Sequence, residues 1–428
     1  MTRTRFGAAV FGLALAAASA IVSQPAWAAG NPMKLVGALN PWKDGQFSNV
    51  AADASRHVGY LGSFDDQGVA VIDTRDPAFP SLTDVLSTHI AGTGTSDSAD
   101  LDLVGGYLAV SHQSWSGDGF VGISVYDTLS DPYHPFLVRH IPLPGGIHSV
   151  QLDPEVGSGR PFAYANAIES TGFTYVVDIL TGALLSKYAP AEGVGCIPSD
   201  EDCRLFLGAH EGFLQRSPAG RMLDYVSFWD AGLRIVDVTD PAHPVEVGAF
   251  PYPGPLGDLC CAHYAAPTPS GNWVYLEDEI GVGGTGGVHV LRAQGCDGVQ
   301  VCTVTQVGLW HINGHPVQAA AIDGVGSGAF HGVIQRFFTY DAHNLDIKGE
   351  NALLVANYTM GIRLIDTTDK AAPREVSFYL PNANKNLACI QNCFFQGRET
   401  WGAYFGSDGR IYASDFWLGF FVVQPPPV

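Results

Sequence analysis

Seven times along the chain a short apolar run recurs, usually opened by glycine and often closed by aspartate. The instances are Gly68 to Asp73, Phe120 to Asp127, Gly172 to Asp178, Gly232 to Asp237, Gly287 to Leu291, Gly361 to Asp366 and Gly419 to Val423. They stand about 50 to 75 residues apart, a period that belongs to an array of small sheets rather than to one large sheet. A β-rich stretch precedes each run, as at Tyr60 to Phe64, Asp224 to Trp229 and Leu353 to Tyr358.

Several runs are followed by Asp-Pro and another short strand, as at Asp76-Pro77, Asp131-Pro132 and Asp240-Pro241. Proline lacks the N–H that a central strand must donate, so these pairs mark a turn to an outer edge. With an inner strand ahead of each pair, the unit has four strands. Helical periodicity is nearly absent. The expected fold is all-β: a seven-bladed β-propeller of four-stranded blades. The last blade runs out at Pro425-Pro426-Pro427 and lacks a fourth strand. Met33 to Leu39, which reads like Val245 to Phe250, is the candidate to complete it, and such closure removes exposed sheet edges.

Val-Ala-Val-Ile-Asp73, Leu-Arg-Ile-Val-Asp237 with Thr-Asp-Pro241, and Ile-Arg-Leu-Ile-Asp366 resemble the LVIVD-repeat proteins. These are bacterial and archaeal chains regarded as β-propellers, most without an assigned activity. The resemblance spans nearly all of the chain beyond its N-terminal segment and implies fold more than chemistry. The fifth and seventh runs depart from it, with Arg292 and Gln424 where aspartate would stand.

The N-terminus reads as a secretory signal. Arg3 and Arg5 precede an apolar stretch from Phe6 to about Val22, and small residues at Ala26 and Ala28 flank Trp27, the layout of a cleavage site. The expected organisation is a signal peptide over 1–28 and one propeller domain over 29–428, exported to a periplasm or the medium. No later stretch approaches the roughly 18 unbroken apolar residues of a membrane span. Losing residues 1–28 takes the net charge from −20 to −22, the wrong sign for a nucleic-acid partner. Eight cysteines in an exported chain point to disulfides. Cys196/Cys203, Cys296/Cys302 and Cys389/Cys393 are close in sequence, while the adjacent Cys260 and Cys261 leave their partners open.

Aligning the repeats on their inner strands puts one histidine in each of four consecutive blades: His148, His210, His263 and His343. The corresponding positions elsewhere are Asn49, Ala99 and Thr400, the last beside Glu399. Inner strands run along the central channel, so four equivalent imidazoles form an arc facing its axis. Neutral imidazoles converging there suit iron, copper or zinc. Carboxylates that hold the rings in one tautomer are then expected, and Glu211, Glu277, Asp278 and Glu399 are the candidates.

A competing reading pairs each histidine with the aspartate that closes the third strand of its own blade, as in WD40 propellers. The spacings of His148 to Asp178, His210 to Asp237 and His343 to Asp366 allow it. Asp73 and Asp127 without a histidine, and His263 without an aspartate, do not. At the turn after the second strand, His112, Glu169, Trp229, Asp230, Asp278, Tyr358 and Asp415 are expected to surround one mouth of the channel. His311, His315 and His331 fall in a long insertion.

No phosphate-binding loop, nucleophile elbow, EF-hand or zinc-protease motif is present, so no nucleotide cofactor is expected. Three function classes follow. The first is a metal-dependent oxidoreductase or oxygenase acting on a small molecule. Carotenoid cleavage oxygenases and the selenium-binding or methanethiol oxidase group are similar in architecture alone, with seven blades and a histidine-bound metal. The second is a non-catalytic module for a protein, glycan or cell-envelope partner. The third is a hydrolase, hinted at only by acids such as Glu277 and Glu279.

Overall fold

The computed structural model describes residues 32–427 apart from 43–44, 65–66, 95, 115–116, 169–170, 192–194, 197–205, 253–261, 280–286, 313–341 and 383–397. Among the described residues the strands form seven antiparallel blades. The first is Phe47–Asp53, Val58–Ser63, Val69–Asp73 and Ser81–Leu86, from the axis outwards. The fourth is Glu211–Arg216, Met222–Ser227, Leu233–Asp237 and Val245–Phe250, with Cys302–Thr303 added in parallel at its outer edge. The seventh holds Thr400–Phe405, Ile411–Asp415 and Gly419–Gln424, and Lys34–Leu39 pairs antiparallel with Gly419–Gln424 as its fourth strand. Inner strands of neighbouring blades touch all the way round, the seventh against the first, so the blades close into a ring.

The repeat follows from where its side chains go. Each apolar run is the third strand of a blade, and both faces are covered by neighbouring blades. A nearly continuous apolar sequence therefore suits it better than alternation. Val69 to Ile72 and Leu233 to Val236 are buried throughout. Seven apolar clusters result, one at each blade interface; one joins Ile123 and Val125 to Val150 and Val177, another joins Leu61 and Ile72 to Phe420 and Val422.

The recurring aspartates do local work. Oδ1 of Asp73, Asp127, Asp178, Asp237 and Asp366 each accepts the amide two residues on, at 2.7 to 2.9 Å, which sets the turn to the fourth strand. These carboxylates are spent at the outer turns. They do not reach the axial histidines, so the pairing seen in WD40 propellers does not operate here. The Asp-Pro turns are likewise capped from within, Asp76, Asp131 and Asp240 each accepting the amide of residue i+2.

Those turns also clasp the preceding blade. The Tyr60 hydroxyl donates to the Pro132 carbonyl at 2.7 Å, and Ser186 donates to Pro241 at 2.6 Å. At the ring closure the same place is filled by Gly37, where a Cβ would lie 2.2 Å from the Pro77 carbonyl oxygen. Cys296 and Cys302 form a disulfide. Cys203, Cys260, Cys261, Cys389 and Cys393 lie outside the described residues, as do Glu169, His315 and His331. No described helix is long and apolar enough to cross a membrane.

Candidate metal centre

The four histidines stand at the axial ends of inner strands in blades three to six. His148 and His210 immediately precede Ser149–Leu152 and Glu211–Arg216, their amides bonded to the Asn166 and Ser227 carbonyls at 2.8 Å. His263 and His343 sit inside Ala262–Pro267 and Ala342–Lys348, each at a shift in the ladder register. The rings form an arc, with centroids 4.5 Å apart between His148 and His210, 4.1 Å between His210 and His263, and 4.3 Å between His263 and His343.

The arc continues into blade seven at Trp401, 4.0 Å from the His343 ring. Counting along the sequence assigns this place to Thr400. The register shift between Thr400 and Ala403 moves it by one residue, and the Thr400 hydroxyl turns towards Asp415.

A layer from the residues just past the second strands covers the arc. Trp229 stacks on His210 with planes 21° apart and centroids at 5.0 Å, held at a left-handed φ of 41°. Tyr358 meets His343 edge-on at 5.0 Å, and Gln113 approaches Nδ1 of His148 at 3.2 Å. Glu279, one residue beyond Trp273–Asp278, places Oε2 3.9 Å from Nε2 of both His210 and His263. Its other oxygen accepts the Tyr358 hydroxyl at 2.5 Å.

Two overlapping groups can hold a metal ion: His263, Glu279 and His343, and His210, Glu211 and His263. In each, the ligand atoms lie within 4.8 Å of one another, and all are buried. Ligands at about 2.1 Å from a tetrahedral ion stand about 3.4 Å apart, so a modest contraction completes the geometry.

The proton inventory favours ligation. Nδ1 of His263 lies 2.9 Å from Oε1 of Glu277, and Nδ1 of His343 donates to the Trp401 carbonyl at 2.7 Å. The carbonyl acceptor fixes the proton of His343 on Nδ1 and leaves its Nε2 bare, and Nε2 of His263 has no hydrogen-bond partner. Burial pushes His148 down to about 4 and His343 down to about 3, and holds His210 and His263 well below the ordinary imidazole range. All four are neutral near pH 7, the form that binds metal. Burial raises Glu279 to about 7, and burial with neighbouring acids raises Glu277 and Glu211 well above the usual carboxylate range. A cation beside them would relieve that cost.

Of the four expected supporting carboxylates, two reach the histidines. Glu277 bonds His263, and Oε2 of Glu211 stands 3.7 Å from its Nδ1. Asp278 does not: successive strand residues face opposite ways, and it turns into its blade to bind His289 at 2.8 Å and the Tyr252 hydroxyl. Glu399 does not either; it accepts Trp417 Nε1 at 3.0 Å. His112 and Asp415 are also turned away, His112 to Ser124 and Asp415 to the Glu399, Trp417 and Leu418 amides. Glu279 is the candidate ligand missing from the carboxylates expected from the strands, because it follows the strand's last residue. Its place relative to Trp229 and Tyr358 was the available signal.

These features define a seven-bladed β-propeller with a buried histidine–glutamate cluster on its axis. More particularly, residues 224–251, within its fourth blade, match the family model of the LVIVD repeat. No curated protein matches the sequence. Among solved structures it is similar to the β-propeller domain of Cps50 (Swd1) from Myceliophteria thermophila, with TM-score 0.55, 11% identity, and coverage of 91% of this chain and 99% of that one. It is also similar to the C-terminal WD40 domain of Sif2, with TM-score 0.55, 10% identity, and coverage of 92% and 99%. At such identities the likeness is one of fold.

Proposed function

We propose that the protein is exported and acts as a metal-dependent oxidoreductase or oxygenase on a small molecule. Its ion, of the iron, copper or zinc class, would be held by His210, His263, His343 and Glu279. The observation that carries this reading is a pair of overlapping groups of buried ligand atoms that share His263, each with its atoms within 4.8 Å of one another. Bound there, an ion supplies Lewis-acid chemistry, and iron or copper also one-electron chemistry.

The chain's own groups do the rest. Glu277 bonds Nδ1 of His263, and the Trp401 carbonyl holds the Nδ1 proton of His343. Tyr358 pins one oxygen of Glu279 and leaves the other towards the imidazoles. His148, His263, His343 and Trp401 line a small cavity on the axis with Asn49, Asp100, Ser149, Glu211 and Asn344. Export draws its support from residues 1–28 and from the Cys296–Cys302 disulfide.

The test is metal content of the mature protein as isolated and after incubation with iron, copper and zinc salts. About one ion per chain, lost in His210→Ala and His263→Ala, supports the reading. A folded protein that takes up none overturns it. The second reading, a non-catalytic module for a protein, glycan or envelope partner, is favoured by Phe79, Phe136 and Leu184. These are exposed by 78%, 72% and 50% at the outer edges of three successive blades.

A further inference from the structure

The cavity that His148, His263 and His343 border is also lined by oxygen-bearing residues: Asn49, Asp100, Ser149, Glu211 and Asn344. Asp100 comes from blade two and Glu211 from blade four; both are buried, at 6% and 5% exposure.

A belt of hydrogen bonds links these two acids through three other blades. Asn344 Nδ2 reaches Glu211 Oε1 at 3.2 Å and the Tyr404 hydroxyl at 2.8 Å. Tyr404 donates to Asn49 Oδ1 at 2.9 Å, and Asn49 Nδ2 donates to Asp100 Oδ1 at 2.6 Å. The Val150 amide occupies the other Asp100 oxygen at 2.9 Å. The belt leaves one conspicuous gap: Oδ1 of Asn344, in a residue only 1% exposed and lining the cavity, has no hydrogen-bond partner. Buried amide oxygens are rarely left so.

We infer that these oxygen-bearing residues form a second cation site, which shares Glu211 with one of the two histidine groups and is selective for a hard divalent ion of the calcium class. Its ligands are the carboxylates of Asp100 and Glu211 and the amide oxygen of Asn344. Oxygen donors from carboxylate and amide groups, without imidazole, suit calcium and disfavour iron and copper. The ion supplies the partner that Asn344 Oδ1 lacks. It also offsets two buried carboxylates that share one cavity, which is costly when they are uncompensated. The inference does not depend on the histidine centre holding a metal.

Trp401 borders the same cavity, so its indole is placed to sensitise a lanthanide bound there. The experiment titrates the mature protein, stripped with chelator, with terbium under excitation of tryptophan, then displaces terbium with calcium. The account expects sensitised emission that calcium abolishes. Affinity should fall by about 10–100-fold or more in Asp100→Asn and Glu211→Gln. His210→Ala should retain it, which separates this site from the histidine centre. Trp401→Phe should lose emission but keep calcium binding by calorimetry. No calcium-displaceable emission from the wild-type protein would overturn the inference. So would undiminished affinity in both folded carboxylate variants.

Discussion

Oε1 of Glu277 and Nδ1 of His263 share a hydrogen bond of 2.9 Å, with both side chains buried. Nε2 of His263 stands 3.9 Å from Oε2 of Glu279. A charged acceptor makes the imidazole a better donor to metal than a neutral one does. Glu277→Gln keeps the shape and an acceptor oxygen but removes the charge. Its affinity for the transition metal should fall by about 10–100-fold, while its thermal unfolding stays at or above wild type. Titration against a competing chelator checks this, and unchanged affinity would remove Glu277 from the centre.

Ring closure rests on a contact that only glycine allows. At Gly37 a Cβ would meet the Pro77 carbonyl oxygen at 2.2 Å and Ala78 backbone at 2.9 Å. Backbone cannot swing aside as a side-chain tip can. Gly37→Ala should therefore lower stability by about 1–3 kcal/mol, read as an earlier midpoint in denaturant. A larger, less buried residue tolerated at no cost would show that Lys34–Leu39 is not held between the blades.

Stability of the metal-free protein should depend on pH in a defined direction. Burial holds Asp100, Asp224 and Glu279 at about 7. Each binds its proton more tightly folded than unfolded, so its contribution is present at low pH and is lost as pH rises to about 7. His112, His148 and His343, pushed down to about 3, 4 and 3, work the other way. They gain a proton on unfolding, and their contribution grows with pH until the ordinary value of 6.5. Between pH 6.5 and about 8 the carboxylates still change, joined by His289, which Asp278 raises against the effect of its burial. Both lose stabilisation as pH rises, so the unfolding free energy should fall across that interval. Denaturant curves at the two ends measure it; a rise would contradict the assignment.

How far the sequence could be read depends on which signal carried each feature. The blades were legible because third strands buried on both faces give uninterrupted apolar runs, and Asp-Pro marks their outer turns. The four histidines were legible because Ile147-His148, Ala209-His210, Ala262-His263 and Ala342-His343 recur at one point of the repeat. Trp401 and Glu279 were not. A register shift moves Trp401 into the arc in place of Thr400, and Glu279 lies past the strand whose alternation would have oriented it. Asp278 and Glu399 show the converse failure. Proximity in sequence to a channel position does not say which way a side chain faces, and both turn to partners in their own blades.

The central claim is that imidazoles from successive blades ligate one metal ion, and X-ray absorption at the metal edge tests it most directly. The account predicts at least three imidazoles at about 2.0–2.1 Å with one carboxylate oxygen, and one imidazole fewer in His263→Ala. A spectrum without imidazole scattering, or an imidazole count unchanged by that substitution, would contradict it.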